Sequence, residues 1–147
     1  MSANSIKSVF SVAGTSTVGR NGQAETSDHA LKVELASPGA GGVAGRPGAV
    51  TPEHLFAAGY SACFGGAVEA VAKMHKKDAS KAKTTCMVSF GPREGGGYGV
   101  NVKMRVEDKS LPTADLTALV HEAHEKICPY SHATRGNVEI AFEVVGA

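Results

Sequence analysis

Residues 51–72, TPEHLFAAGYSACFGGAVEAVA, decide how this chain is read. Thr51, Pro52 and Glu53 make a helix start: a hydroxyl cap, a proline at the first helical position and an acid in the first turn. Phe56, Tyr60, Cys63, Phe64, Ala67, Val68 and Val71 then follow the helical period, while the other faces are mostly Ala and Gly. Lys73, Lys76 and Lys77 close the segment, which suits the negative end of a helix dipole. The spacing predicts one helix from Thr51 to about Lys77, packed on several sides. Its uncharged part, His54 to Val68, reads as too short for a membrane span and therefore as a buried core helix.

Working outward, the flanks read as strands and one further helix. Ile6 to Ala13 reads as a strand and Gly14 to Gly22 as turn-rich, with Arg20 between Gly19 and Asn21. Leu31, Val33 and Leu35 alternate with Lys32 and Glu34, the pattern of a half-buried strand that pairs with the first as a hairpin. Pro38 to Gly48 reads as a mobile connector. Its glycines lack the Gly-Lys-Ser/Thr ending and the spacing of a phosphate cradle. Cys86 to Phe90 and Tyr98 to Val106 flank the turn GPREGGG, and Val138 to Val145 alternates as a last strand. Pro112 and Thr113 open a second helix with Leu116, Leu119, Val120, Ala123 and Ile127 on its apolar stripe. Pro129 disfavours helical geometry at Cys128, so this helix ends there. The order strand-strand-helix-strand-strand-helix-strand predicts an α+β fold with mostly antiparallel pairing and two main helices. It does not suit a doubly wound nucleotide fold.

The bulk numbers narrow the function classes. A chain of 147 residues fits one domain, 1–147, and 42% hydrophobic with 20% charged residues is ordinary globular composition. The net charge is +1 without a basic run, which argues against a nucleic-acid partner. MSANSIKSVFSVAG lacks a charged start followed by an apolar block, so no signal peptide is expected. Three cysteines then point to a reducing, cytoplasmic setting, where a disulfide is more often catalytic or transient than structural.

Those cysteines carry the candidate chemistry. Taken alone, Cys63 reads first as a small buried hydrophobe, the usual fate of a free cysteine. Cys86, in TTCMVSF with no charged neighbour, reads as inert. Cys128 at a helix end before Pro129 is harder to dismiss. Two thiols on separate helices, Cys63 and Cys128, suggest a reactive pair passing through a sulfenic acid to a disulfide. His121, His124 and Cys128 also share a helix face at i, i+3 and i+7, a weak metal pattern without a fourth ligand.

The two cysteine segments, TPEHLFAAGYSACF and ICPYSHATRGN, resemble the two motifs of the organic hydroperoxide resistance family, a branch of the OsmC-like superfamily. GRNG, the final strand NVEIAF and the overall length resemble it too, over nearly the whole chain. GYSACF and CPYS-ATRGN are closer to this branch than to the osmotically inducible one. The resemblance implies an OsmC-like fold and an intertwined homodimer with two active sites at its interface. It implies a thiol peroxidase acting on organic hydroperoxides, with no bound cofactor or metal. The reductant it implies is a lipoyl dithiol, dihydrolipoamide or a lipoylated protein, rather than thioredoxin. By motif position Cys63 is the peroxidatic thiol, Cys128 the resolving one, and Arg20 and Glu53 the pair that tunes the thiolate. His132 stands where the family commonly has Asn.

This implied mechanism meets physical expectation. A free thiol is mostly protonated at neutral pH, with a pKa of about 8.5, and burial raises it further. A cation such as Arg20 is therefore needed, with Glu53 gripping and aiming the guanidinium. Phe56, Tyr60 and Phe64 near Cys63 favour a bulky organic peroxide. Glu53 and Cys63 are ten residues apart in the sequence, about 15 Å on one straight helix, too far to share a guanidinium. Either the helix breaks near Gly59 or the two residues of one site come from different subunits. A broad osmotically inducible type peroxidase, a non-catalytic thiol redox sensor and a metal-binding protein are the competing readings.

Overall fold

A computed structural model describes residues 5–39 and 46–147; the middle of the expected Pro38–Gly48 connector lies outside them. The chain divides into two compact units, Met1–Pro52 and Glu53–Ala147. The first holds a three-stranded antiparallel sheet in the order β1-β2-β3, with β1 Gly14–Thr17, β2 Gln23–Thr26 and β3 Lys32–Glu34. Its register sets Thr15 opposite Glu25 and Ala24 opposite Val33.

This hairpin differs from the sequence expectation. Pairing starts at Gly14, not in Ile6–Ala13, and part of the expected turn is strand. The apolar run before it has strand composition, but a strand also needs a partner. The β1–β2 pairing spans only Gly14–Thr17 and Gln23–Thr26, with one further backbone bond from Ser27 N–H to the Ala13 carbonyl. Ile6, Val9 and Phe10 are left largely exposed. The true turn is the short 3₁₀ turn Gly19–Asn21, and glycine is required beside it. A Cβ on Gly22 would lie 1.8 Å from the Thr17 carbonyl oxygen.

The second unit is built on α1, Pro52–Met74, one continuous helix. Its Tyr60, Phe64, Val68 and Val71 are fully buried. They belong to one core with Val102, Met104 and Val106 of β5 (Tyr98–Glu107) and Leu116, Leu119 and Val120 of α2 (Thr113–Glu122). By length and composition α1 could also cross a bilayer, with a mean hydropathy of 1.4 over an 18-residue window. The uncharged run His54–Val68 is only part of this longer helix. What marks α1 as a core helix is its buried aromatic and valine line.

β4, Lys83–Pro92, pairs antiparallel with β5, setting Cys86 opposite Met104. β6, Ile140–Val145, pairs with β5 in parallel, Val102 opposite Ile140. The expected antiparallel sheet is thus two sheets, one of which has a parallel edge pair. The reason is topological: the chain between β5 and β6 is a helical crossover, which returns it to the end where β5 began.

That crossover also departs from a single helix. α2 runs into a π-helical turn, Ala123–Ile127, and the helix stops at Cys128, whose φ of −70° and ψ of 117° are extended. Pro129 thus has the effect the sequence predicts, but a new helix, α3, begins at once over Pro129–Thr134. Cys128 is its N-cap and Pro129 its first residue, where a missing N–H costs nothing.

Candidate active site

The Cys63 and Cys128 sulfurs lie 3.6 Å apart, although 65 residues separate them in sequence. α1 supplies the first and the α2–α3 corner the second. No bond joins them, and about 1.5 Å of approach would bring them to disulfide distance. Cys128 is 1% exposed, whereas Cys63 is only partly buried. Reagents in solvent therefore meet Cys63 first.

The Ser131 backbone N–H donates to Cys128 Sγ at 3.4 Å. The Tyr130 backbone lies beside Cys63 and favours its thiolate. Burial pushes the Cys63 thiol up, the Tyr130 backbone partly offsets this, and the adjacent Cys128 raises it again. Cys86 shows burial without such help: its thiol is pushed up to about 11 by desolvation.

Beneath the sulfurs lies a hydroxyl cluster. The Tyr60 hydroxyl meets Ser131 Oγ at 3.0 Å and Thr134 Oγ1 at 3.2 Å, all three residues being buried. Tyr60 also packs edge-on against Phe56, Phe64 and Tyr130. Of the three aromatics expected to line a substrate pocket, Tyr60 and Phe64 have no accessible surface. Phe56 is partly exposed and keeps that candidacy.

Arg20 sits exposed in the Gly19–Asn21 turn of the first unit. Glu53 is in the first turn of α1. Because α1 is unbroken through Gly59, Glu53 and Cys63 of one chain stay about 15 Å apart along its axis. The helix-break alternative is excluded.

His121 and His124 both lie against the Phe142 ring, with centroids at 6.0 and 5.0 Å. Burial and the nearby Arg135 lower the His124 pKa. The π-turn and the break at Cys128 interrupt the helix face that the metal pattern assumed. Among the described residues, no group of three His, Cys, Asp or Glu side chains is placed to hold a metal. His132 is exposed on α3, its N–H bonded to the Cys128 carbonyl at 3.0 Å.

Sequence reasoning missed Tyr130, Ser131 and Thr134. The signal was present: Cys-Pro-Tyr-Ser reads as N-cap, proline at the first position and two free N–H groups, as well as a helix end.

A thiol pair held between a core helix and a helix N-cap in an α+β fold defines a candidate thiol-redox protein. Comparison makes this specific. The family described as OsmC-like protein matches residues 45–143. The organic hydroperoxide resistance protein of Xanthomonas axonopodis pv. citri is 42% identical over 135 residues, covering 91% of this chain and 93% of the relative. The crystal structure of the organic hydroperoxide resistance protein OhrB of Bacillus subtilis superposes with a TM-score of 0.85 at 40% identity. It covers 93% of this chain and 99% of that one. An organic hydroperoxide resistance protein structure from Legionella pneumophila also gives 0.85, at 38% identity, covering 95% and 99%. The chain belongs to the OsmC-like superfamily, in its organic hydroperoxide resistance family.

Proposed function

We propose that this protein is a thiol peroxidase that protects against organic hydroperoxides. The Cys63–Cys128 separation of 3.6 Å carries the reading, and relatives named for organic hydroperoxide resistance support it. The Cys63 thiolate attacks the outer peroxide oxygen, the O–O bond breaks, and the alkoxide takes a proton and leaves as alcohol. Cys63 is then a sulfenic acid, and its sulfur is oxidised by two electrons. The Cys128 thiol attacks that sulfur, hydroxide leaves with the thiol proton as water, and a disulfide forms. An external dithiol returns both thiols to the reduced state and becomes a disulfide itself.

Arg20 would supply the cation that Cys63 needs, since burial alone raises its pKa. It would also donate to the leaving alkoxide. Glu53 would hold that guanidinium. With α1 continuous, the Glu53 that serves a given Cys63 would come from the second subunit of a homodimer. Ala58, Ala62 and Gly66 support such a dimer, being small and exposed on one face of α1 where another helix can approach closely. The reductant would be a lipoyl dithiol and the setting the cytoplasm.

Steady-state consumption of cumene hydroperoxide with dihydrolipoamide tests this, run beside thioredoxin and beside hydrogen peroxide. Sustained turnover with the lipoyl dithiol and a preference for the organic peroxide is expected. A single oxidation without turnover would instead identify a redox sensor, and equal use of both peroxides a broad osmotically inducible type enzyme. Sedimentation as a monomer at micromolar concentration would remove the shared site.

A further inference from the structure

The two-sulfur mechanism assigns nothing to the buried hydroxyls beneath Cys63 and Cys128. Tyr60 lies one helical turn before Cys63, so both project from the same side of α1. Its hydroxyl reaches across to Ser131 and Thr134, which lie on the first and last turns of α3. Thr134 in turn bonds the Tyr130 carbonyl at 2.9 Å. α3 is only six residues long, too short to hold its own shape or position without tertiary ties. Yet it caps at Cys128 and carries the Ser131 N–H that meets the Cys128 sulfur at 3.4 Å. A buried phenol in an apolar core needs a hydrogen-bond partner, and so do buried Ser and Thr hydroxyls. Here the three satisfy one another.

Resting on the peroxidase reading, we propose that Tyr60 is a positioning residue for the resolving step. Its hydroxyl latches α3 to α1 and holds Cys128 within reach of the Cys63 sulfenic acid. This replaces the substrate-lining role that its spacing suggested. Without the hydroxyl, Ser131 and Thr134 lose a buried partner and α3 is free to shift. Cys128 then finds the sulfenic acid less often, and a second peroxide competes better for it.

The test follows the fate of one intermediate. The full-length protein is titrated with cumene hydroperoxide in the absence of dithiol. Mass spectrometry gives the ratio of Cys63–Cys128 disulfide to Cys63 sulfinic acid. Both products arise from the same sulfenic acid, so a slower first step cancels from the ratio. Tyr60→Phe keeps the ring and removes the oxygen. It is expected to form sulfinic acid at roughly fivefold lower peroxide than the wild type, as the loss of one buried hydrogen bond implies. Thr134→Val is expected to shift the ratio in the same direction, and Thr134→Ser to leave it unchanged; Thr134→Val carries the test if Tyr60→Phe does not fold. A wild-type ratio in a folded Tyr60→Phe protein would overturn the latch and leave the peroxidase reading standing. Failure of the wild type to form the Cys63–Cys128 disulfide at all would overturn both.

Discussion

Cys86 and Cys128 are both buried in the same unit, at 8% and 1% exposure, yet their surroundings give them opposite prospects. Cys86 lies on β4 opposite Met104 and faces the apolar core. Desolvation acts on it without a countering donor and pushes its thiol up to about 11. Cys128 is the more deeply buried of the two. It nevertheless receives a backbone N–H from Ser131 and lies 3.6 Å from a second sulfur, which solvent can reach. Depth of burial therefore does not separate the thiol read as inert from the one proposed to react. What separates them is the local backbone. Nothing but burial acts on the Cys86 sulfur, whereas the first turn of a helix has N–H groups to spare for Cys128.

The strongest way to break this contrast is to remove each sulfur. Cys63→Ser is expected to abolish peroxide consumption. Cys128→Ser should permit one oxidation of Cys63, followed by over-oxidation, because nothing traps the sulfenic acid. Cys86→Ser should consume peroxide at close to the wild-type rate. Steady-state assays with mass spectrometry of the thiols separate the three. Loss of activity in Cys86→Ser with retention in Cys63→Ser would reverse the assignment.

A second test sharpens the role of donors and cations. Arg20→Ala should move the alkylation profile of Cys63 to higher pH, since a cation that favours the thiolate is gone. A midpoint higher by about one pH unit means a thiolate fraction about tenfold smaller at neutral pH. Glu53→Ala should move the profile less, by releasing rather than removing the guanidinium. An unchanged profile in Arg20→Ala would leave the arginine without its proposed role.

The smallest effect belongs to Cys86. Its folded pKa is raised above the unfolded value, so the buried neutral thiol contributes stability that is present below the unfolded pKa. That contribution is lost as pH rises from 9.0 towards about 11. Denaturant unfolding across this window should show a decline for the wild type that is shallower in Cys86→Ala. Equal slopes would mean that Cys86 is not desolvated as its place on β4 indicates.

Much of this contrast was legible in the order of the residues. Pro52 and Glu53 fixed the start of α1, and the spacing of Tyr60, Phe64, Val68 and Val71 fixed its buried face. Pro129 marked the break at Cys128. Ile6–Ala13 misled because composition records a strand's preference but not whether a partner strand is present. Phe56, Tyr60 and Phe64 looked alike by spacing, yet only Phe56 keeps accessible surface. A helical period says which residues share a face and not what covers that face.

From sequence alone came the element types, the two cysteine motifs and the family they resemble. These depend on local rules: caps, periodicity and the geometry of proline. Only the tertiary structure decided that Cys63 and Cys128 meet, that β6 pairs with β5 in parallel, and that the Tyr60 hydroxyl meets α3. Each of these depends on contacts between residues distant in the chain. Such contacts are set by how the helices and the sheet close around one core, and no local pattern encodes them.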